Sequence, residues 1–239
     1  MRERPAVERS AESRAFVDQA LADLCSDRRR PRAWLKFLWR CGVRSAEQVQ
    51  AHPLAALEVT VLHLCMAPMG RRSRLGLAVS WAMALTHLGL LGPEAHSIGP
   101  ANALSMLRAN LPSGRFAPMI AIATDIADGR LARLTTATAF GAYADPLADV
   151  VFWTRHAWTH QKSHVLRTLV LATWLLPVIV IGGAYFARGQ TVDYPRPLLV
   201  RRLSAGLQCV LAARALREQR RRPLCKRPRT LTGRSVLRV

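Results

Sequence analysis

The chain has 239 residues, 35 Lys and Arg against 15 Asp and Glu, a formal net charge of +20 and 50% hydrophobic residues. That hydrophobic content excludes wholesale disorder, which needs low hydrophobicity as well as high charge. Five Cys in 239 residues are too few, and an odd number, for a disulfide-stapled miniature; Cys25, Cys41, Cys65, Cys209 and Cys225 show no CxxC or CxxxC spacing, which argues against a zinc site, and they read as reduced thiols.

The first sixteen residues, MRERPAVERSAESRAF, are charged and contain no apolar core, so they are not a secretory signal. As far as about Asp27 the chain reads as a polar arm, partly helical or disordered. From Arg28 to Arg40 the sequence RRRPRAWLKFLWR sets Trp34, Leu35, Phe37, Leu38 and Trp39 among basic residues, with Pro31 placed to start a helix. Basic residues beside Trp and Phe suit a membrane interface. Apolar stretches follow at 54–69, 75–92, 117–127, 139–154, 165–187 and 197–215, with Pro and Gly breaks near 92–100, 112–118 and 189–197. From Thr168 to Ala187 there is no charged residue, and about 20 apolar residues cross a bilayer. The stretch at 75–92 is nearly as apolar. The first stretch carries Glu58 and His63, and the last carries Arg201, Arg202 and Arg214.

So many apolar segments in so short a chain predict an all-α fold. The expected architecture is a polytopic membrane bundle of about five to six transmembrane helices, preceded by an amphipathic basic helix. Residues 1–50 form the polar and basic arm, 51–99 hold two additional apolar helices, and 216–239 form a basic, disordered tail. The basic arm at 28–44, the loop Arg71-Arg72-Ser73-Arg74 and the tail from Arg217 to Arg238 favour the cytoplasmic side of a cell (inner) membrane. The charge alone would also suit a soluble nucleic-acid-binding protein. The apolar spans and the lack of aromatic residues in the tail for stacking bases argue against a nucleic-acid partner.

The acids are the most informative residues. Between Glu94 and Asp193 they are Asp125, Asp128, Asp145 and Asp149, all in or beside apolar stretches. A buried carboxylate is costly unless paired or bound to a metal. The first two stand at i,i+3 and the last two at i,i+4, so each pair shares one helix face. Two helices presenting two carboxylates each can surround a divalent metal with oxygen ligands, which suits Mg²⁺ or Mn²⁺. Around them the residues are small: Gly129, Ala132, Thr135, Thr136, Gly141, Ala142 and Ala144. Small side chains let helices approach and leave room for a phosphate ligand, and Arg130 and Arg133 stand beside the first pair to hold phosphate or balance charge.

Asp125-Ile-Ala-Asp128-Gly129-Arg-Leu-Ala132-Arg133, seven residues, then Gly141-Ala-Tyr-Ala-Asp145-Pro-Leu-Ala-Asp149 reads D-x2-D-G-x2-A-R-x7-G-x3-D-x3-D. This resembles the signature of the CDP-alcohol phosphatidyltransferases at every defining position. The resemblance implies an integral membrane enzyme, with the family's membrane core over about 100–215. Such an enzyme transfers a phosphate-linked group from a CDP-linked donor, commonly CDP-diacylglycerol, to an alcohol acceptor and releases CMP. It implies Asp125, Asp128 and Asp145 as metal ligands. Asp149 would be the base for the acceptor hydroxyl, with possible contact to a second metal. Gly129 and Ala132, with Gly141, would line the nucleotide site, and Arg133 would lie near the pyrophosphate or pair with an aspartate. It leaves open a homodimer, and a relative that has lost catalysis and serves as a membrane-bound binding protein.

Asn102-Ala-Leu-Ser105-Met-Leu-Arg108 resembles the family's N-L-x-T-x-x-R box. Here Arg108 stands only seventeen positions before Asp125, with Pro112, Gly114, Arg115 and Pro118 between. The family's first helix is therefore expected to be short, missing or replaced, with 54–69 and 75–92 available to replace it. His156, His160 and His164, at i,i+4,i+8, read as interfacial residues, with metal ligation or contact to an anionic acceptor as the alternatives, and Arg108, Arg155, Arg167 and Arg188 as snorkelling side chains or contacts for an acceptor phosphate.

Overall fold

The structure is a computed structural model and describes residues 4–27, 30–68, 74–92, 95–112, 114, 116–135, 138–191 and 198–221. The basic loop at 71–73 and the tail beyond 221 lie outside the described residues. The elements are α1 (Arg4–Ser26), α2 (Pro31–Ala51), α3 (Pro53–Met66), α4 (Arg74–Thr86), α5 (Gly99–Ala109), α6 (Ala117–Leu134), α7 (Ala139–His160), α8 (His164–Arg188) and α9 (Leu198–Arg221), with a 3-10 turn at Leu88–Leu90. Among the described residues there is no strand.

The local chemistry sets these boundaries. Proline stands in the first turn of α2, α3, α5 and α6, where its missing N–H costs no hydrogen bond. Thr138 caps α7 by accepting from the Gly141 N–H at 3.1 Å, and Ser163 caps α8 by accepting from the Leu166 N–H. Gly189 ends α8 in the left-handed conformation at φ +65°, the region that favours glycine. Each apolar stretch of the sequence lies largely within a helix, except that 75–92 divides between α4 and the 3-10 turn.

The core has two parts. Leu111, Ala121, Trp153, Val170, Trp174 and Leu211 pack between α6, α7, α8 and α9. Val59, Leu88, Leu91, Ile98, Met106 and Phe140 pack α3 and the 3-10 turn against α5 and α7. Helices α5 and α7 border both parts, and α5 packs chiefly on α6 and α7. At the other end of the chain order, α1 is a helix with Ala20, Leu21 and Leu24 buried, not a loose arm. It meets the C-terminal end of α8: the Thr191 N–H donates to Asp18, the Cys25 thiol to the Phe186 carbonyl, and Trp34 of α2 packs on Phe186 at 5.5 Å.

Among the described residues one helix, α8, is by itself long and apolar enough to cross a membrane. Helices α2 and α3 meet that test only as a pair, bent by 103° at His52. Helix α4, at 13 residues, is shorter than a span needs, and α6, α7 and α9 carry Asp or Arg along their length. The expected five or six spans are thus reduced to one clear span. Only 11% of its most apolar window is buried, with Leu175, Leu176, Ile179 and Val180 turned outward. A core helix of a soluble protein would bury such a face.

The Trp153 ring is 1% exposed and lies 5.9 Å from Trp174 and 4.8 Å from Phe152. Trp153→Ala opens a cavity at the α7–α8 contact, and the expected loss is about 3–5 kcal/mol, read as a lowered melting temperature of the purified protein in detergent. An unchanged melting temperature would show that this contact does not hold the two helices together.

Candidate active site

Asp125 and Asp128 lie on α6, and Asp145 and Asp149 on α7. The two helices are joined by the short segment 135–138, which brings the faces predicted from the i,i+3 and i,i+4 spacings together. One carboxylate oxygen from each of Asp125, Asp128 and Asp145 lies within 4.8 Å of the other two. The fourth residue, Asp149, stands beside this group.

At the centre of the four sits Arg108 of α5. Its side chain is 0% exposed. It pairs with Asp128 at 2.6 Å, with Asp145, with Asp125 at 3.5 Å, and through Nε with an Asp149 oxygen at 3.0 Å. The last contact is close but lacks the alignment of a hydrogen bond. Burial works against the charge on Arg108; the carboxylates of Asp149, Asp145, Asp128 and Asp125 outweigh it and hold its proton more tightly than usual. Ser105, one turn earlier, donates to Asp128 at 3.0 Å. Asn102, one turn earlier again, donates to the Ile98 carbonyl at 2.6 Å and to Thr138 Oγ1 at 3.2 Å.

A cavity of about 420 Å³ opens beside this cluster. Asp128 and Asp145 form its acidic wall, and Gly129, Ala132, Gly141 and Ala142 line it without filling it. The glycine at 141 has a second reason. A Cβ there would meet Asn102 Oδ1 at 2.6 Å, so glycine is what lets α5 and α7 touch. At Gly129 a Cβ would meet only the Arg133 guanidinium, at 3.6 Å. Arg133 itself is exposed and does not line the cavity.

The structure corrects the reading of Arg108 as a snorkelling side chain, because it is buried among carboxylates. Arg155 is half-buried and donates to the Leu111 carbonyl. His156 is not interfacial: it is buried, stacked on Phe152 at 5.8 Å and on His160 at 4.8 Å. Thr138 was not singled out in the sequence as a site residue, although a threonine before an apolar helix is a capping signal; it joins the box to α7 through Asn102.

A family model for CDP-alcohol phosphatidyltransferase matches residues 98–217. The match takes in the box, all four aspartates and α5 to α9 almost to its end, and with it half of the chain; this protein belongs to that family. Members are membrane-integral, act on CDP-alcohol donors and alcohol acceptors, and generally depend on a divalent metal. No curated protein and no solved structure matches the chain.

The donor set fits such a metal. The oxygens are hard ligands from three carboxylates close enough to share one ion, and they already surround a cationic side chain. Arg108→Met removes that cation and leaves four clustered carboxylates unneutralised. The expected loss is about 3–5 kcal/mol, seen as a lower melting temperature in chelator and recovered when Mg²⁺ or Mn²⁺ is added. A variant equally stable with chelator and with metal would show that the cluster does not bind the ion.

Proposed function

We propose that the protein transfers a phosphatidyl or similar substituted-phosphate group from a CDP-linked donor, such as CDP-diacylglycerol, to an alcohol hydroxyl with release of CMP. The observation that carries this reading is the gathering of the four signature aspartates around one positive charge at the wall of a cavity lined by the signature's small residues. Asp125, Asp128 and Asp145 hold Mg²⁺ or Mn²⁺. When bound, the ion neutralises negative charge on the pyrophosphate.

Gly129, Ala132 and Gly141 leave space for the nucleotide. Arg133, outside the cavity wall, reaches a pyrophosphate only at the cavity's rim. Asp149 takes the proton of the acceptor hydroxyl as that oxygen bonds to the donor phosphorus. The bond from the same phosphorus to the CMP oxygen breaks, and CMP leaves with the bonding pair. A hydroxyl is a weak nucleophile at neutral pH, so a placed carboxylate is needed. The chain is embedded in the cell membrane as a helical bundle with α8 as its clear span, and the aspartates lie at the cytoplasmic surface. There a polar nucleotide and a lipid tail bind side by side. The outward apolar side chains of α8, and of α3 and α9 (Leu57, Leu64, Leu199, Leu203), support this placement.

A second reading has its own observation. Arg108 occupies the centre of the cluster, as it would in a relative that has exchanged metal for an internal cation and binds nucleotide without turnover. CMP release from CDP-diacylglycerol by the purified protein, with a panel of alcohols as acceptors, separates the two.

Asp149→Asn keeps shape and removes the proton acceptor. Single-turnover transfer is expected to slow by roughly 10²–10⁴-fold, with donor affinity little changed; turnover at the parent rate would remove the assignment of the base. Asp128→Asn is expected to weaken metal and donor binding together. The membrane placement has its own check: alkaline carbonate should leave the protein in the membrane fraction, and only detergent should release it. Release by carbonate alone would refute an integral protein.

A further inference from the structure

Helix α5 has eleven residues, a length at which an isolated helix is marginal. Yet it carries Asn102, Ser105 and Arg108, which face the site in successive turns and are all buried. Something outside α5 has to fix where Arg108 reaches. Both of its ends are held by helices that precede the family match. At the N-terminus, Glu58 of α3 accepts from the Ile98 N–H at 2.8 Å and from the Ser97 hydroxyl at 2.9 Å. A carboxylate there satisfies a donor at the helix start and complements the helix dipole.

At the C-terminus, Asn110 donates to Ser80 Oγ of α4 at 2.9 Å and to the Met106 carbonyl at 3.0 Å. Ser80 Oγ also lies 3.1 Å from His63 Nε2, and His63 Nδ1 lies 2.8 Å from the Val59 carbonyl. A carbonyl only accepts, so Nδ1 carries the proton. In the neutral ring Nε2 is then the acceptor, and Ser80 must donate to it while accepting from Asn110. The chain of bonds has one consistent direction, from Asn110 through Ser80 to His63.

We propose that α3 and α4 are the positioning device of the site. Glu58 and the Asn110–Ser80–His63 relay fix the two ends of α5, and thereby fix how far the Arg108 guanidinium enters the carboxylate cluster and how tightly that cluster binds a divalent cation. The inference rests on the cluster being a cation site, as the proposed function has it, and not on the transfer reaction. Glu58, Ser80 and His63 are positioning residues; none touches the aspartates. From a separate pair of helices they add end constraints to the packing of α5 on α6 and α7.

The experiment is a set of Mn²⁺ titrations on the purified full chain in detergent, with free Mn²⁺ read by electron paramagnetic resonance. Arg108→Met removes a positive charge from the cluster, and Mn²⁺ should bind about tenfold tighter or more. Glu58→Ala and Ser80→Ala release one end of α5 each and should tighten Mn²⁺ in the same direction, by roughly 3- to 10-fold. Glu58→Gln keeps an acceptor for the Ile98 N–H and should fall between parent and Glu58→Ala.

The deciding measurement is the double variant. With Arg108→Met in place, Glu58→Ala and Ser80→Ala should change Mn²⁺ affinity no further, because they act through Arg108. Equal effects in both backgrounds, or no Mn²⁺ binding by parent and Arg108→Met alike, overturn the proposal. Should Glu58→Ala not fold, Ser80→Ala, which loses a single hydroxyl, reads the other end. Coupled Mn²⁺ binding in a parent protein that releases no CMP would refute the transferase reading and leave the positioning role standing.

Discussion

Four carboxylates gathered around one point need a cation. In this structure the guanidinium of Arg108 meets that need, touching all four. Water would screen such charges at a surface, but Asp128 is nearly buried and Arg108 fully so, and in that setting an unpaired charge is far more costly than a paired one. The approach of α6 to α7, the burial of α5 and the open cavity beside Gly129 and Gly141 all depend on that neutralisation. Without it the two helix faces would repel each other where they have to meet.

The same constraint explains why a short helix can be central. α5 packs on both α6 and α7, and its residues at 102, 105 and 108 each bond to a partner in or beside the site. The Asn102 side chain can lie against α7 there because residue 141 has no side chain to displace it. The helices that hold the ends of α5 also border the smaller of the two core regions, α3 through Val59 and α4 through the partly buried Ala84 and Leu85. Packing and polar bonding thus fix α5 together, from helices that precede the residues matched by the family model.

Outside this polar centre the molecule turns apolar side chains outward, most plainly on α8. A protein in water would bury that face, whereas lipid is as apolar as the core and does not demand it. The arrangement places costly charge inside, paired, and inexpensive hydrocarbon outside. The N-terminal helices follow the same logic: α2 exposes Leu35, Leu38 and Trp39 among basic residues while Trp34 packs toward the end of α8.

Much of this was legible in the sequence, because helix periodicity is local. The i,i+3 and i,i+4 spacings put each pair of aspartates on one face, Pro and Gly marked breaks between helices, and the D-x2-D-G pattern named the family. The apolar stretches foretold helices but overstated the number that stand alone as membrane spans, since α3 and α4 proved too short and α6, α7 and α9 too charged. What the sequence could not decide was the partner of each charge. Arg108 looked like a side chain reaching for an interface, and Glu58 and His63 like blemishes in an apolar helix. Their roles depend on residues 17 to 41 positions away in one case and 39 or 40 in another, and no local period encodes such a distance. By itself the sequence determined which residues are helical and which acids share a face, because those follow from the chain's own geometry. Only the tertiary structure decided that one arginine answers all four acids, and that two preceding helices hold it there, because pairing of buried charge is settled by which surfaces meet.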